Sequence, residues 1–448
     1  MVSKISVLLS LYLLPQTQMW TKYYGGINNE DSYRLALTDD GGYIISGGTF
    51  SFGANGYDIY VLKLDSCGDT NWTLVIGDTI HDYGYDIIQD GDVYYLTGQY
   101  NYSFYYRNLL ISKISHAGEL LWNKLYYRGQ YSRGYRIFKS EENTLTILGR
   151  SGLGNNITFL IKVDSSGDSI WEKEYLDESG ISCADITYDS GFIAGGWFES
   201  HYYRTVIRFN KNGDSLWTKY YGFDFVTDIC STSDSGFILV YTDHYDTVNV
   251  LKADIAGDSV WSKRFVGFDI TSIEQNTDGD YMLAGSYNDD GFLLKLNNNG
   301  DSLWSRTYGG SGNEAFNDIE QTFDCGYIMV GYTHSFGSGG ADVYVVKTDS
   351  LGNTLGVEEN ISSPIYNPNQ ITIEYLCSGN VIVSFVLDTD KDIDFSVYDL
   401  SGRIINTQQL RCSSDKFYSF ELLDYQPGIY FYSIRNSDIE EFGKFSIY

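Results

Sequence analysis

A glycine with a tryptophan four positions on recurs along this chain, with small or acidic residues between them in most copies. The pairs are Gly68 and Trp72, Gly118 and Trp122, Gly167 and Trp171, Gly213 and Trp217, Gly257 and Trp261, and Gly300 and Trp304. Another tryptophan, Trp20, stands upstream, and a copy lacking tryptophan runs from Asp349 to Gly356. Such self-similarity means one supersecondary unit copied in tandem, which fixes the architecture before any single residue is interpreted.

The first unit reads as four short strands, Tyr33 to Leu37, Gly42 to Thr49, Asp58 to Leu64 and Asn71 to Ile76, rich in Ile, Val, Tyr and Leu. Acidic-glycine turns such as Asp39-Asp40-Gly41 and Asp234-Ser235-Gly236 join the first two strands, and the Gly-acid turn of the repeat joins the last two. An Asp or Asn side chain folds onto its own backbone while glycine takes the positive φ, so these are tight hairpins. Four antiparallel strands per unit, with no proline between Pro15 and Pro364, describe a β-propeller.

The ends of the array set the count. Sets of first to third strands begin near Tyr33, Tyr83, Tyr135, Ser182, Val226, Ile270 and Ala315, whereas the tryptophan-bearing fourth strands start one strand early, at Trp20. Met19 to Tyr24 is therefore expected to supply the missing fourth strand of the seventh unit, latching the ring and removing its open edges. The fold expected is all-β: a seven-bladed β-propeller over 19–356 closed by an N-terminal strand, a linker over 357–370, and a second domain over 371–448. The repeated tryptophans are expected to fill the wedges between blades.

With 59 acidic against 30 basic residues the net charge is −29, which repels phosphate backbones and anionic lipid; nucleic acid is an unsuitable partner. Lys4 followed by the apolar run Ile5 to Leu14 suits a secretory signal peptide over 1–18 and is too short to span a bilayer. No other segment is apolar enough for a membrane span. Of the six cysteines, Cys183 and Cys230 share strand parity in neighbouring units and are expected to be buried thiols, while Cys377 and Cys412 are candidates for a bridge.

Asp65, Gly68 and Trp72, like Asp164, Gly167 and Trp171, resemble the tryptophan-docking repeat of quinoprotein-like propellers, one residue shorter and without a quinone-binding constellation. Trp20-Thr21-Lys22-Tyr23-Tyr24-Gly25-Gly26, Asp40 to Thr49 and Gly326 to Thr333 resemble secreted bacterial propeller repeats. Beyond Ile361, Phe395-Ser396-Val397-Tyr398-Asp399-Leu400-Ser401-Gly402-Arg403, Pro427-Gly428-Ile429-Tyr430 and Gly443-Lys444-Phe445 resemble the C-terminal sorting domain of the type IX secretion system. Short alternating strands there fit an immunoglobulin-like β-sandwich, as also found in hook-capping modules. Ile365-Tyr366-Asn367-Pro368 stands where the sorting family has Tyr-Pro-Asn-Pro. The resemblance implies export by the signal peptide, passage through a secretion translocon, and release or attachment at the cell surface.

In a propeller the fourth-to-first and second-to-third connections share one face. The longest are Gly25 to Asp31, Phe50 to Tyr57, Tyr100 to Arg107, Gly309 to Glu314 and His334 to Ala341, and those of units seven and one should form one rim. The candidate binding residues are Asn28, Asn55 and His334 with the aromatic cluster Tyr100, Tyr102, Phe104, Tyr105 and Tyr106, since exposed rings stack on sugars or anchor proteins. His81, His201 and His244 fall on the same face, but a shared metal site is not the preferred reading. Ca²⁺ could use the Asp/Gly turns, yet these lack the alternating acids of a dedicated loop, so no cofactor is expected.

These features point to an exported, non-catalytic binding protein for a protein or glycan ligand. The rival is a glycan-active hydrolase or lyase on the rim, which two carboxylates converging in a central pocket would favour.

Overall fold

A computed structural model describes residues 19–354 apart from 55, 79, 104–105, 129–130, 141–142, 153–156, 176–178, 199–202, 224–225 and 244–246. C-terminally it describes 371–375, 381–386, 392–399, 402–410, 417–422, 428–435 and 440–447. No helix among these residues is long and apolar enough to cross a membrane.

Residues 20 to 347 form seven four-stranded antiparallel sheets in a propeller-like arrangement. The first six are built from consecutive strands. The seventh takes Glu314–Gln321, Tyr327–Thr333 and Asp342–Lys347 and adds Trp20–Tyr24 from the far end of the chain, with Trp20 opposite Lys347 and Tyr24 opposite Val343. The first strand of each sheet packs on the preceding sheet, and Glu30–Leu37 of the first sheet packs on the seventh, so the series closes on itself.

Each sheet is too small to bury its own faces, and the core is accordingly divided among the junctions. One apolar cluster fills each: Leu35, Ile45 and Leu62 of the first sheet meet Ile328, Val330, Val343 and Val345 of the seventh, and six similar clusters fill the rest. In the first sheet the second and third strands are buried on both faces, while the fourth is mostly exposed or half-buried, as expected of a peripheral edge.

The tryptophans dock one sheet on the next. Each lies against the turn glycine of the following sheet: a Cβ placed on Gly68, Gly118, Gly167, Gly213, Gly257, Gly300 or Gly352 would come within 3.1 Å of the ring of Trp20, Trp72, Trp122, Trp171, Trp217, Trp261 or Trp304, respectively. Gly352, in the copy that has lost its own tryptophan, still receives Trp304. Two residues beyond five of these tryptophans a lysine pairs with the acid after that glycine, as Lys22 does with Asp69 and Lys219 with Asp258. Four residues beyond five of them a tyrosine hydroxyl donates to the glycine carbonyl, as Tyr24 does to Gly68 at 2.5 Å and Tyr308 to Gly352 at 2.6 Å.

Within sheets, a buried cation on the third strand holds the acidic-glycine turn. Lys63 Nζ reaches both Asp40 oxygens at 3.0 and 2.9 Å, Lys252 and Lys347 do the same for Asp234 and Asp324, and Arg208 bonds one oxygen of Asp189. In these four turns Asp40, Asp234, Asp324 and Asp189 are each engaged by a side-chain cation. Cys183 and Cys230 are free thiols, both raised by burial. Cys325 is disulfide-bonded, which its place in a repeat turn did not foretell, and Cys377 and Cys412 lie outside the described residues.

The C-terminal strands form two antiparallel sheets. One orders Ile371–Tyr375, Val381–Val386 and Phe417–Leu422; the other orders Ile404–Leu410, Ile393–Tyr398, Gly428–Arg435 and Glu440–Ile447.

Candidate functional site

The two ends of the ring differ. Among the described residues one end carries tight turns, closed by main-chain bonds such as Gly68 N to Asp65 O or Gly257 N to Asp254 O. The other end carries the long loops, and buried acids organise them. Glu30 accepts from Gly26 N at 2.6 Å, Thr49 Oγ1 at 2.7 Å and Ser51 N at 3.0 Å, while Glu314 accepts from Gly310 N, Thr333 Oγ1 and Ser335 N at 2.9, 2.8 and 3.0 Å. Glycine is required at position 26 because a Cβ there would lie 2.5 Å from Ser51 Cβ.

Loop-to-loop bonds join these segments into one rim. Glu30 N donates to Ala341 O, Ala341 N to Asn29 Oδ1, Phe50 N to Asn29 O, and Asp82 N to Tyr57 O. Gly312 N bonds Ser335 Oγ and His334 N bonds Asn313 O. The rim expected between units seven and one is therefore present and runs from the sixth sheet to the second.

Aromatic rings line this face. Phe50, Tyr57, Tyr83, Tyr85 and Tyr135 form a chain with successive centroids 4.7, 5.2, 6.0 and 5.5 Å apart, and Tyr33 joins at 5.6 Å from Tyr85. Tyr33, Tyr85 and Tyr135 occupy the same place in three sheets: each is the extra residue of a bulge in the first strand, between Ser32 and Arg34, Gly84 and Asp86, and Gly134 and Arg136. A bulge re-aims its side chain out of the strand alternation. The equivalent residues of the other four sheets are Ser182, Thr227, Thr271 and Asn317, so three rings face four small polar groups.

Below the bulges the first strands of all seven sheets enclose a cavity of about 360 Å³ lined by Arg34, Arg136, Asp86, Asp185, Asp228, Glu274, Asp318 and Glu320 among others. Most of these acids tie one sheet to the next. Asp86 accepts from Ile137 N, Asp185 from Ser231 N, Asp228 from Ile273 N, Glu274 from Gln321 N and Asp318 from Leu35 N, all at 2.8 to 3.1 Å. Arg34 bridges Asp318 at 2.6 Å and Asp228 at 3.2 Å. Burial alone would lower it, but Asp318, Asp228 and Asp86 hold it well above its ordinary range. Burial, then Asp318, pushes Glu320 up to about 8; burial, then Glu320, raises Glu274.

The expected binding residues fare differently. Tyr100 is not on a loop: the second strand runs Val93–Ser103 and the third Tyr106–Ser115, with Tyr100 opposite Asn108 and Ser103 opposite Tyr106. The loop proposed from Tyr100 to Arg107 shrinks to a hairpin tip, because nothing in Tyr100-Asn101-Tyr102-Ser103 stops cross-strand pairing. The Tyr100 hydroxyl donates to Asp78 at 3.1 Å and its ring packs on the core between the first two sheets. Tyr102 lies in the same strand, Tyr106 is exposed, and Phe104, Tyr105 and Asn55 fall outside the described residues. Asn28 donates to Phe50 O, and the His334 ring meets Tyr332 edge-on and Asn313 O. His81 accepts from Tyr57 N, while His201 and His244 are outside the described residues.

Residues 367–448 match the secretion system C-terminal sorting domain. That match marks the chain for export by the type IX system to the cell surface or beyond it. No curated protein is matched by the sequence. Among solved structures, the ring is similar to a chain of a mitotic checkpoint complex at TM-score 0.51 and 13% identity, covering 78% of this chain and 97% of that one. It is also similar to the Dos1 propeller (TM-score 0.46, 11% identity, 76% of this chain and 97% of that one). A Bacteroides caccae protein of unknown function aligns at TM-score 0.40 and 12% identity, over 56% of this chain and 90% of that one. At such identity the likeness concerns the fold alone.

Proposed function

We propose that the chain is an exported binding protein: a signal peptide over 1–18, a seven-bladed β-propeller over 19–356 latched by its first strand, a linker over 357–370, and an immunoglobulin-like sorting domain over 371–448. The ligand, a protein or a glycan, is engaged on the long-loop face, and the C-terminal domain engages the secretion translocon. The observation that carries this reading is the asymmetry of the two ends. One is a ring of near-identical turns, and the other combines a cross-bonded rim with the aromatic chain from Phe50 to Tyr135 at the mouth of the axial cavity. Rings in a concave, partly polar setting suit sugar faces and apolar protein anchors.

A second reading, a glycan-active hydrolase or lyase, draws on Glu274 and Glu320, a buried acid pair in the cavity whose raised carboxyls suit general-acid work. It ranks second because Glu274 is committed to Gln321 N and the neighbouring acids serve as ties between sheets. The test is a glycan and protein array probed with the full chain and with Tyr85→Ala. A hit lost in the variant supports the rim mouth, a hit retained excludes it, and glycan cleavage abolished by Glu320→Gln would establish the second reading.

A further inference from the structure

Three junctions between sheets, all under the long loops, repeat one arrangement. An aspartate opens the third strand of one sheet, and an acid opens or immediately precedes the first strand of the next: Asp342 with Glu30, Asp58 with Asp82, and Asp290 with Glu314. Each pair converges over a glycine. A Cβ on Gly25 would lie 1.9 Å from Asp342 Oδ1 and 2.5 Å from Glu30 Oε2. On Gly77 it would lie 2.1 Å from Asp58 Oδ1 and 2.9 Å from Asp82 Oδ2, and on Gly309 2.1 Å from Asp290 Oδ1 and 2.7 Å from Glu314 Oε2. Among the described residues no lysine or arginine forms an ion pair with any of the six, in contrast to the Lys63–Asp40 type of turn.

Two further atoms point the same way. Asp58 Oδ1, in a fully buried side chain, has no hydrogen-bond partner and is aimed at the point it shares with Asp82. The hydroxyl of Tyr344, also fully buried and unpartnered, has Glu314 and Asp290 as the charges that act on it. Carboxylates that converge on one point in a largely buried setting, with Asp290 half-buried and the other five buried, repel one another unless a cation or a shared proton lies between them. Three copies of one such pair, with an orphaned buried oxygen at two of the junctions, describe a place for a third participant.

We propose that each of these junctions binds a divalent cation of the calcium class, bridging the two carboxylates and clamping the loops above them. All the side-chain donors are oxygens, which selects a hard cation, and irregular loop backbone suits calcium's flexible coordination better than magnesium's strict octahedron. Among the described residues no group of three acidic, histidine or cysteine side chains is arranged to hold a metal ion, so main-chain oxygens and water would complete each two-carboxylate shell. The inference is independent of the identity of the rim's ligand.

Equilibrium dialysis of the full chain against Ca²⁺ in 150 mM salt, with melting curves in EDTA and in Ca²⁺, tests it. About three tightly bound ions per chain are expected, with a melting temperature about 5–10 °C higher in Ca²⁺ at a hundredfold excess over Kd. Asp342→Asn, Asp58→Asn and Asp290→Asn should each remove one ion, while the exposed Asp168→Asn removes none. Should those variants not fold, the melting comparison on the unaltered chain decides alone. Equal melting temperatures in EDTA and Ca²⁺, or a stoichiometry that the three substitutions leave unchanged, would overturn the proposal and leave the pairs to share a proton.

Discussion

Trp20 Nε1 donates to the carbonyl of Ser66 at 3.1 Å, across the seam between the seventh sheet and the first. The bond joins the first described strand of the chain to a turn 46 residues later, and the same ring covers Gly68 and meets Tyr43 edge-on at 5.9 Å. Trp72 and Trp261 make the equivalent bonds to His116 O and Asn298 O at 3.1 and 3.2 Å, so the closure seam is built like the others.

Trp20→Ala should therefore cost about 3–5 kcal/mol, the range for emptying a large aromatic site. Removing residues up to Tyr24 should do more, because Asp342–Lys347 then becomes an unpaired edge open to association. Urea denaturation measures the first effect and sedimentation velocity the second; a monomeric, equally stable truncation would show that the latch is dispensable.

Gly41 and Gly68 both sit at φ 78°, yet nothing lies within 4 Å of a Cβ on Gly41, whereas one on Gly68 meets Trp20 at 2.9 Å. Alanine at either position bears the left-handed cost of about 1–2 kcal/mol. Gly68→Ala should lose about 1–3 kcal/mol more, from overpacking the docked ring. Equal losses in the two variants would separate the glycine requirement from tryptophan docking.

Glu320 faces Asp318, Asp185 and Glu274 as well as Arg34 and Arg136, and its carboxyl is raised from 4.5 to about 8, chiefly by burial. A raised folded-state value means that the protonated form is favoured by folding. Its contribution is complete below about pH 4.5 and is lost as the pH climbs towards 8. Between pH 5 and 8.5 the unaltered chain should lose on the order of 1–2 kcal/mol more stability than Glu320→Gln, the titration being shared with the neighbouring Glu274. Parallel pH profiles would place that carboxyl in an ordinary aqueous environment.

Deleting residues 367–448, the segment matching the sorting domain, should leave the ring folded but retained inside the cell envelope. Fractionation and surface labelling read the outcome, and undiminished surface delivery would contradict the sorting role.

Much of the ring was legible because tryptophan and glycine mark every unit, and the offset between Trp20 and the tryptophan-free copy at Asp349 to Gly356 exposes the shared seventh sheet. The rim was legible from loop length. Two features were not. Tyr100 to Arg107 carries no glycine or proline to end its strands, so a continuing hairpin and a loop look alike in sequence. The channel acids were hidden by the bulge in each first strand, which shifts the alternation between Ser32 and Arg34 and its counterparts and moves Asp86, Asp228 and Asp318 towards the axis. The lysine and tyrosine two and four residues after most of the tryptophans were visible repeats whose partners lie in the next unit, out of reach of local reading.

The central claim, that recognition belongs to the long-loop end of the ring, is tested most directly by backbone hydrogen exchange with and without a ligand captured on the arrays. Protection should gather at 25–31, 77–85, 309–314 and 334–341. Protection confined instead to the turns at 65–69, 116–119, 165–168 and 254–258 would place the ligand on the opposite end and contradict the account.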